Sequence, residues 1–553
     1  MKKIVIVGGV AGGAGTAARM RRLEEDAQII LLEKGDYISF ANCGLPYYIG
    51  NEIEDRDDLL VMTVQGMKER FDIDIRVKHE VFSIDRQKKT VSVKNLIDQT
   101  TYEEAYDTLV LSPGSTPFIP DIPGASDEAV FTLWNMFDTD RLKGYVLANK
   151  PQKALVAGGG FIGLEMVENL RGLGIDVTLV EMLDQVMPNV DFEMAQIVHT
   201  ALKKHDVHLK LGRRLDSLAR IGGKLTATLD NGEQVETDMV VMAVGVRPQS
   251  GLAKQAGLAC GEKGGIIVDK FLRTSDENIY ALGDAIEVKH LVSAKLVMIP
   301  LAGPANKQAR ICADNIHGDN LAYRGSMGSS VAKVFELTVA STGLNERQLK
   351  ELGWSEGREY FVAKTHAWSH ATYYPGSTQM ALKVFYAPDG KILGASAVGK
   401  EGVDKRMDVI ATTMYFGGTV HDLGRLQLCY APPYSSAKDP VNMIGFMAEN
   451  NLSGQCRFIS WDQLDGLDPQ KYAVLDVRED GEVARGMIDG AIHIPLGQLR
   501  SRISELDKNK TIVVCCAIGL RAYVACRILT GHGFEAIDLS GGYTTYSMAH
   551  RKI

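Results

Sequence analysis

The sequence predicts an α/β protein built from several domains. The chain has 553 residues, which is more than a single hydrophobic core usually supports. A β-branched run, a glycine-rich turn, a helical pattern and a second β-branched run follow one another twice, near residues 3–33 and 153–181. A further α/β pattern fills about the last hundred residues. The composition, with 45% hydrophobic and 24% charged residues and 56 glycines, is that of a globular protein.

Charge and hydropathy argue against several classes of partner. The net charge is −8 and no block of lysine or arginine stands out, which excludes nucleic acids and anionic membranes as expected partners. No apolar run reaches the roughly 18 residues of a membrane-spanning helix, and the N-terminal run meets its glycines too early for a signal peptide. Eight scattered cysteines are too few for a disulfide scaffold. We therefore expect a soluble, cytoplasmic protein, and predict no metal site.

The second of the repeated units predicts a Rossmann-like dinucleotide-binding fold. In KALVAGGGFIGLEMVENLRGLGIDVTLVEM the glycine places are filled by Gly158, Gly160 and Gly163, and Glu181 ends the second strand. These glycines allow a tight turn, close approach of a pyrophosphate and packing of helix on strand. The helix N-terminus stabilises phosphate charge, and the acid can bind a ribose. No arginine in EMLDQVM can receive a 2′-phosphate, which favours NADH and leaves NADPH as the alternative.

The first unit departs from this pattern at its middle glycine. KIVIVGGVAGGAGTAARMRRL fills the three places with Gly8, Val10 and Gly13, and QIILLEK ends its strand at Glu33. A lone glycine pattern is often an ordinary strand-to-helix turn. Two copies, each with its strand, helix and acid in place, argue against that explanation and predict two Rossmann-like domains in tandem.

A cysteine loop near the C-terminus predicts nucleophilic chemistry. TIVVCCAIGLRAYVACRIL runs from a strand through C-x-x-G-x-R into a helix. Such a loop points backbone N–H groups at the sulfur, so we expect it to lower the pKa of the Cys516 thiol. Gly519 permits the tight loop, and Arg521 is expected to hydrogen-bond an anionic sulfur or the loop itself. Cys515 is expected to be a core residue of the strand.

The order of motifs resembles that of the two-dinucleotide flavoprotein disulfide reductases. YDTLVLSPGSTP at 106–117 is similar to their crossover into the NAD domain, VVMAVGVRP at 240–248 to the return, and TSDENIYALGDA at 274–285 to their second flavin segment. The resemblance implies FAD in the first unit and NAD(P)H in the second. It assigns FAD binding to Gly8, Val10, Gly13, Glu33, Ser112, Gly114, Asp284 and Ala302. It assigns NAD binding to Gly158, Gly160, Gly163, Glu181 and Gly245.

The same resemblance, with changes of texture along the chain, predicts the domain boundaries. From residue 326 the pattern shifts to alternating strands with aromatics, and FMAENNLSGQC is polar and rich in turn residues. The prediction is an FAD domain at 1–115 and 245–325, an NAD(P)H domain at 116–244, an α+β dimerisation domain at 326–446, a linker at 447–457 and an α/β domain at 458–553.

The segment SFANCGLPYYIG, residues 39–50, carries one cysteine where many relatives have a C-x-x-x-x-C pair. It resembles the single-cysteine branch, which contains coenzyme A disulfide reductases, NADH oxidases and NADH peroxidases. Members that use oxygen or peroxide carry a histidine at the position of Ala11. The resemblance therefore implies that Cys43 forms a mixed disulfide with coenzyme A. Residues that match coenzyme A contacts are Gly15, Arg19, Arg22, Ser39, Asn42, Asn306 and Lys438.

HATYYPGS at 370–377 and CYAPPYSSAKDPVN at 429–442 resemble dimerisation-domain signatures of that branch. There, tyrosines of the partner subunit approach the cysteine and can donate a hydrogen bond to the leaving thiolate. The best match is Tyr430, with Tyr373 or Tyr374 as the second. A homodimer is therefore expected, although packing is the commoner role of such aromatic clusters.

The last domain resembles a single-domain rhodanese, since LDVRED, with Asp476 and Arg478, and GAIHIPL match its other signatures. The whole chain thus resembles coenzyme A disulfide reductases fused to rhodanese, an arrangement assigned to NAD(P)H-dependent polysulfide or persulfide reductases. We expect reduction of polysulfide, persulfide, coenzyme A persulfide or coenzyme A disulfide at Cys43, and sulfane-sulfur transfer at Cys516. The alternatives are a coenzyme A disulfide reductase with an accessory rhodanese domain, an NADH oxidase or peroxidase, and a redox sensor without turnover.

Overall fold

A computed structural model describes residues 2–551. Its α-helices in chain order are α1 Ala11–Leu23, α2 Leu45–Ile49, α3 Val64–Phe71, α4 Met136–Asn149, α5 Phe161–Gly172, α6 Phe192–Lys204, α7 Gly251–Gln255, α8 Ala302–His317, α9 Glu346–Glu351, α10 Val403–Tyr415, α11 Val420–Arg425, α12 Pro440–Leu452, α13 Trp461–Leu464, α14 Asp480–Val483, α15 Leu499–Arg502, α16 Leu520–Gly531 and α17 Gly542–Ala549.

Its β-strands are β1 Lys3–Val7, β2 Gln28–Glu33, β3 Asp74–Val77, β4 His79–Asp85, β5 Thr90–Asn95, β6 Thr101–Ala105, β7 Thr108–Leu111, β8 Ser115–Pro117, β9 Val130–Phe131, β10 Lys153–Ala157, β11 Asp176–Glu181, β12 His208–Leu211, β13 Leu215–Ile221, β14 Lys224–Leu229, β15 Gln234–Thr237, β16 Met239–Met242, β17 Val246–Pro248, β18 Ile266–Ile267, β19 Ile279–Ala281, β20 Ile286–Lys289, β21 Leu296–Val297, β22 Ser330–Val334, β23 Leu337–Gly343, β24 Phe361–Trp368, β25 Gln379–Tyr386, β26 Ile392–Gly399, β27 Arg457–Ile459, β28 Tyr472–Asp476, β29 Ile492–His493, β30 Thr511–Cys515 and β31 Ala536–Leu539.

The two predicted nucleotide units fold into parallel sheets of matching strand order. The first is β19-β7-β1-β2-β3, and the second is β9-β16-β10-β11-β12. Their central strands are runs of buried valine, isoleucine and leucine, as expected when helices cover both faces. Strands β1 and β10 therefore occupy equivalent central positions. At the carboxyl end of each strand a glycine turn leads into a helix.

Each parallel sheet carries an antiparallel meander, β4-β5-β6 in the first and β13-β14-β15 in the second. The two chain segments that resemble crossovers also form strands. Strand β8 pairs with β17 in antiparallel register, with Thr116 opposite Arg247. The crossover and the return therefore run side by side as a two-stranded ribbon.

The C-terminal half contains two further sheets. The dimerisation sheet, β22-β23-β26-β25-β24, is antiparallel and packs against α10 and α12. The C-terminal sheet, β27-β31-β30-β28-β29, is parallel throughout. The predicted fold class, with two Rossmann-like domains, an α+β dimerisation domain and a C-terminal α/β domain, is confirmed.

The chain separates into two compact units, and this division cuts through one predicted domain. One unit holds the residues up to Asp184 together with Asp206–Gly328, and the other holds Gln185–His205 together with the residues from Ser329 on. The segment Gln185–His205, which falls inside the predicted domain 116–244, thus packs with the C-terminal half. Helix α12 continues to Leu452, so the first residues of the predicted linker 447–457 are helical. The boundaries themselves stay predictions.

Candidate active sites

The first glycine loop has the close packing that a phosphate-binding turn requires. Gly8 has φ of 96°, and a Cβ there would overlap the carbonyl oxygen of Ser112. A Cβ on Gly13 would overlap the carbonyl oxygen of Gly8. Val10 stands at the N-terminal cap of α1 without a side-chain cap, so the N–H groups of the first turn are left for a ligand. This loop fits the pyrophosphate of a dinucleotide.

The second glycine loop repeats this geometry. Gly158 has φ of 107°, and a Cβ there would overlap the carbonyl oxygen of Ala243, while a Cβ on Gly163 would overlap that of Gly158. Gly160 caps α5, and the space where its Cβ would lie is open. Gly245, with φ of 115°, also has open space beside it. The loop therefore fits a second dinucleotide.

The acid that ends each second strand holds its glycine loop in the same way. Glu33 accepts hydrogen bonds from the N–H groups of Gly9 (2.6 Å) and Gly35 (2.7 Å). Glu181 accepts them from Gly159 (2.6 Å) and Leu183 (2.8 Å). Both carboxylates are thus oriented at the edge of the loop, and their remaining lone pairs fit ribose hydroxyls.

The other predicted FAD contacts follow β7 and β19 or lie at the start of α8. Asp284 accepts a hydrogen bond of 3.1 Å from the Ser115 hydroxyl, and burial raises the pKa of its carboxyl. Gly114 has φ of 71° with open space beside it. Ala302 opens α8, where the cap residue offers no side-chain hydrogen bond. These donors and gaps fit a flavin dinucleotide, and the individual contacts stay predictions.

Cys43 lies in the 3₁₀ turn Asn42–Gly44, just before α2, and is exposed. A Cβ on Gly44 would crowd the Leu59 side chain, which explains the glycine after the cysteine. Desolvation raises the pKa of the Cys43 thiol, and the charges of Glu165 and Asp284 raise it further. Cys43 and the acid predicted to bind the flavin therefore share one site.

Glu165, on α5, is a residue of this site that the sequence reasoning missed. Burial, and then repulsion from Glu168, raises the pKa of Glu165 to about 7. Glu165 also contributes to a raised Tyr47 pKa of about 12, after desolvation of that phenol. The acid in the sequence FIGLE follows the glycine loop by two residues, and that spacing was the available signal.

The predicted coenzyme A residues of the first unit do not form one open cationic cluster. Arg19 donates to Asp314 at 2.7 Å, and the Arg22 guanidinium lies 5.6 Å from the centre of the Phe71 ring. Both side chains therefore already have partners within the same unit. Arg22 is exposed, whereas Arg19 is half-buried, so a shared grip on one phosphate would require Arg19 to leave Asp314.

The remaining candidates of that unit have local backbone roles. Ser39 has a positive φ of 47°, and its N–H donates to the carbonyl of Gly9 at 2.9 Å. The Asn42 amide donates to the Trp134 carbonyl at 3.3 Å, and the Asn306 amide to the Ala302 carbonyl at 2.9 Å. Gly15 lies against Ala309, where α1 and α8 pack. Their contacts with coenzyme A stay predictions.

In the C-terminal half, two of the three candidate tyrosines are hydrogen-bonded to each other. The hydroxyls of Tyr373 and Tyr430 are 2.9 Å apart, and both side chains are exposed. This bond raises the pKa of Tyr373. Tyr374 instead packs edge-on against His370. Lys438 is exposed on the same unit.

Arg406 organises the loops that carry these tyrosines, and no motif in the sequence indicates that role. Its side chain is buried and donates to Asp439 at 2.9 Å, to the Ser369 carbonyl at 2.8 Å and to the Ser435 hydroxyl at 3.2 Å. One buried cation thus joins segment 369–377 to segment 429–439. Tyrosines that are far apart in the chain are held side by side as a result.

The rhodanese loop has the predicted shape but not the predicted electrostatics. Cys516 is buried, and its sulfur accepts a hydrogen bond from the Gly519 N–H at 3.1 Å, where Gly519 has φ of 114°. The N–H groups of Ile518, Gly519 and Ala522 favour the thiolate. Burial nevertheless outweighs them and, with Asp538, raises the pKa of Cys516. The expected lowering is therefore wrong for the free thiol.

The expected role of Arg521 is also corrected. Its guanidinium makes a two-pronged ion pair with Glu482, with both N–O distances at 2.7 Å, rather than bonding the sulfur or the loop. Arg478 likewise forks onto Asp476, at 3.0 and 2.6 Å, in the buried core. Cys515 is buried in the strand as expected, and burial raises the pKa of its thiol.

Membrane-spanning helices and metal clusters are both missing from the described part of the chain. None of the helices between residues 2 and 551 is long and apolar enough to cross a bilayer. Within the same range, no three His, Cys, Asp or Glu side chains gather as they would around a metal ion.

Three regions of the chain match models of known protein families. Residues 2–308 match the pyridine nucleotide-disulphide oxidoreductase model, residues 329–440 its dimerisation domain, and residues 461–549 the rhodanese-like domain. The chain therefore belongs to the pyridine nucleotide-disulphide oxidoreductase family and carries a rhodanese-like domain after the dimerisation domain. The predicted family and enzyme class, a flavoprotein that uses NAD(P)H, are confirmed at this level.

Known proteins are similar to this chain over 81–99% of its length. Coenzyme A disulfide reductase of Staphylococcus haemolyticus (strain JCSC1435) is 36% identical over 452 residues, which cover 81% of this chain and all of that protein. The crystal structure of reduced Bacillus anthracis CoADR-RHD has a TM-score of 0.97 at 51% identity, over 99% of this chain and 98% of that one. The NAD-dependent persulfide reductase from A. fulgidus has a TM-score of 0.91 at 37% identity, over 98% of this chain and all of that one.

Proposed function

We propose that this protein is an NADH-dependent flavoprotein that reduces sulfane sulfur carried as a coenzyme A persulfide, and coenzyme A disulfide by the same chemistry. The observation that carries the proposal is that the Cys43 and Cys516 thiols lie in different environments. Cys43 is exposed and lies near Asp284, the acid predicted to bind the flavin, whereas Cys516 is buried and its sulfur accepts a hydrogen bond from a loop N–H group. The similarity to coenzyme A disulfide reductases and to a persulfide reductase supports the choice of substrate.

The two glycine loops imply the cofactors. The first loop would hold FAD and the second NADH, and these groups would supply the electron pair for cleavage of a disulfide bond at Cys43. Glu33 and Glu181 hold the two ribose edges. NADH is preferred because the Glu181 carboxylate would repel a 2′-phosphate. Arg213 lies beside Glu181, since its N–H donates to the Glu181 carbonyl at 3.0 Å, but its Nη1 donates to the carbonyl of Gly212.

The reductive step is thiol–disulfide exchange at Cys43. The Cys43 thiolate attacks the inner sulfur of CoA–S–SH, which forms Cys43–S–S–CoA and releases HS⁻. Two electrons and one proton then return the mixed disulfide to the Cys43 thiolate and CoA–SH. With coenzyme A disulfide as substrate, the first leaving group is the CoA thiolate instead. No second protein cysteine is needed, because coenzyme A is the partner sulfur.

The sulfur-loading step takes place at Cys516. Its thiolate takes a sulfur atom from a polysulfide or a similar donor and becomes Cys516–S–S⁻, while the donor leaves one sulfur shorter. CoA–SH then attacks the outer sulfur, which gives CoA–S–SH and the Cys516 thiolate. The N–H groups of Ile518, Gly519 and Ala522 stabilise the anionic sulfur in each state.

The remaining candidates serve the coenzyme A group and the leaving thiolate. Arg22, which is exposed on α1, is the most available phosphate ligand, and Arg19 joins it if its ion pair with Asp314 opens. We place Gly15, Ser39, Asn42, Asn306 and Lys438 along the same ligand. The Tyr373–Tyr430 pair, with Tyr374, acts in the partner subunit of a homodimer, where a hydroxyl hydrogen-bonds the leaving thiolate. We expect the enzyme in the cytoplasm, where free thiols persist.

The test is steady-state NADH oxidation with coenzyme A persulfide, coenzyme A disulfide, polysulfide, oxygen and peroxide as acceptors. Cys43→Ser is expected to abolish reduction of both coenzyme A substrates. Cys516→Ser is expected to lower turnover with polysulfide and to spare coenzyme A disulfide. Cys312→Ser, which removes a buried thiol of the first unit, is the matched control. Full sulfur reduction by Cys43→Ser would refute the mechanism.

Two alternatives give other results in the same assay. A coenzyme A disulfide reductase with a passive rhodanese domain would keep its polysulfide turnover after Cys516→Ser. An NADH oxidase or peroxidase would use oxygen or peroxide faster than any sulfur compound, and Ala11 in place of a histidine argues against it.

A further inference from the structure

A buried histidine of the dimerisation sheet contacts the helix that supports the rhodanese loop. His366, on β24, and Thr545, on α17, are both buried, and the His366 Nε2 and Thr545 Oγ1 atoms are hydrogen-bonded at 2.8 Å. Burial, and then Lys364, lowers the pKa of His366 to about 4. The imidazole is therefore neutral and pairs with the hydroxyl at any physiological pH.

Helix α17 in turn fixes the backbone of the sulfur-carrying loop. The N–H of Tyr543 donates to the carbonyl of Cys516 at 2.7 Å, and the N–H of Thr544 donates to that of Ala517 at 3.0 Å. A Cβ on Gly542 would overlap the Cys516 carbonyl. The first turn of α17 thus sets the direction in which the loop carbonyls point. The N–H groups on the opposite side of the loop then face the sulfur of Cys516.

The glycine turn before α17 packs closely against Thr545 and the Lys364 side chain. A Cβ on Gly541, which has φ of 77°, would overlap Thr545 Oγ1 and lie 3.0 Å from the Lys364 side chain. Lys364 is itself buried in an ion pair with Glu193. Lys383 joins that pair, at 2.9 Å from Glu193. The turn that precedes Thr545 therefore lies beside a buried cluster of ion pairs.

From this chain of contacts we propose that His366 is a positioning residue for sulfur transfer at Cys516, acting through Thr545 and the first turn of α17. The rhodanese domain would then depend on the dimerisation sheet for the geometry of its loop. This proposal rests on the assignment of Cys516 as the sulfur carrier, which is part of the proposed function. It adds that a residue of the dimerisation domain positions the loop of the sulfurtransferase site.

The test compares full-length His366→Ala and Thr545→Val with wild type. Sulfur transfer from polysulfide to cyanide, above the uncatalysed rate, and the rate of Cys516 alkylation by iodoacetamide are measured, with NADH oxidation by coenzyme A disulfide as the basal activity. Since a neutral hydrogen bond contributes about 1 kcal/mol, each variant is expected to lower kcat for sulfur transfer about fivefold and to change the alkylation rate. Coenzyme A disulfide reduction is expected to stay within about twofold.

The matched variants separate positioning from general destabilisation. His366→Gln, whose amide nitrogen can reach the place of Nε2, is expected to restore most of the rate. His199→Ala, which removes another buried imidazole of the same unit, should leave sulfur transfer unchanged. The double variant His366→Ala/Thr545→Val should be no slower than either single variant. Thr545→Val nearly keeps the shape of threonine and remains testable if His366→Ala does not fold.

Unchanged transfer in His366→Ala, or additive losses in the double variant, would overturn the proposal. Failure of the underlying assignment has a different signature. If Cys516 carries no sulfur, wild type itself forms no thiocyanate above the uncatalysed rate, whereas the alkylation rates still report whether His366 acts on the loop.

Discussion

The ionisation of Glu165 makes the folding stability of the protein depend on pH. Its pKa is raised from the ordinary 4.5 to about 7, mainly by burial and then by Glu168. The unfolded chain releases this proton near pH 4.5, while the folded protein keeps it up to about pH 7. Folding stability therefore falls as pH rises through this window, and the loss stays constant above it. At about 1.4 kcal/mol for each pH unit, the carboxylate costs the folded state about 3 kcal/mol at pH 8.

Glu165→Gln removes that cost. For a unit of about 300 residues, 3 kcal/mol corresponds to about 5 °C in Tm, since the entropy of unfolding grows with size. We expect the variant to melt about 5 °C above wild type at pH 8 and at the same temperature at pH 4.5, with flavin release as the signal. Because ionised Glu165 raises the pKa of Cys43, the variant thiol should also be alkylated faster at pH 8.

The matched control is Glu25→Gln, which neutralises an exposed carboxylate of the same unit and should leave Tm at pH 8 within about 1 °C of wild type. A gap between wild type and Glu165→Gln that is constant from pH 4.5 to 8 would refute the reasoning. So would an unchanged pH profile of Cys43 alkylation, because the thiol would then be insensitive to the Glu165 charge.

Three further predictions concern the tyrosine pair, the buried arginine and the second ribose acid. Tyr430→Phe removes a hydroxyl proposed to hydrogen-bond the leaving thiolate, and a hydrogen bond to a charged group contributes about 1.5–3 kcal/mol, so kcat with coenzyme A disulfide should fall about tenfold or more; an unchanged kcat would exclude the hydroxyl from the reaction. Arg406→Met leaves Asp439 buried without its cation and should lower the free energy of unfolding by about 3–5 kcal/mol in thermal melts, unlike Arg347→Met on an exposed helix. Glu181→Ser should raise kcat/KM for NADPH relative to NADH by about tenfold or more, and an unaltered ratio would show that Glu181 does not select the nucleotide.

The parts of the site that could be predicted are those encoded within a short stretch of chain. Each glycine loop is specified by its own turn, because a Cβ at Gly8 or Gly158 would overlap a backbone carbonyl. The Cys516 loop is likewise local, since Gly519 and the start of α16 are only a few residues away. Such features depend on neighbours in sequence, and sequence patterns describe those neighbours well.

The parts that could not be predicted depend on partners far along the chain. Arg19 is bound by Asp314, 295 residues away, and Arg521 by Glu482, 39 residues away. A sequence pattern shows a basic residue at the right place, but not the carboxylate that already occupies it. The raised pKa of Cys516 could not be predicted from the sequence for a related reason. The helix start and loop N–H groups are visible in the sequence, whereas the burial that outweighs them is a property of the folded core.

The two nucleotide units share their glycine loops, acids and strand orders but differ in one segment of the chain. Their glycine loops, acids and strand orders agree closely, so these features alone cannot distinguish a redox site from a binding site. The difference lies in the segment of chain after each acid. After Glu33 the chain turns back onto its own loop, because the Ser39 N–H donates to the carbonyl of Gly9, and this return brings Cys43 to the site. After Glu181 the chain instead runs into a segment that belongs to the other compact unit. The first nucleotide unit thereby gains a thiol that the second lacks, as the proposed transfer of electrons from nicotinamide to a sulfur at Cys43 requires.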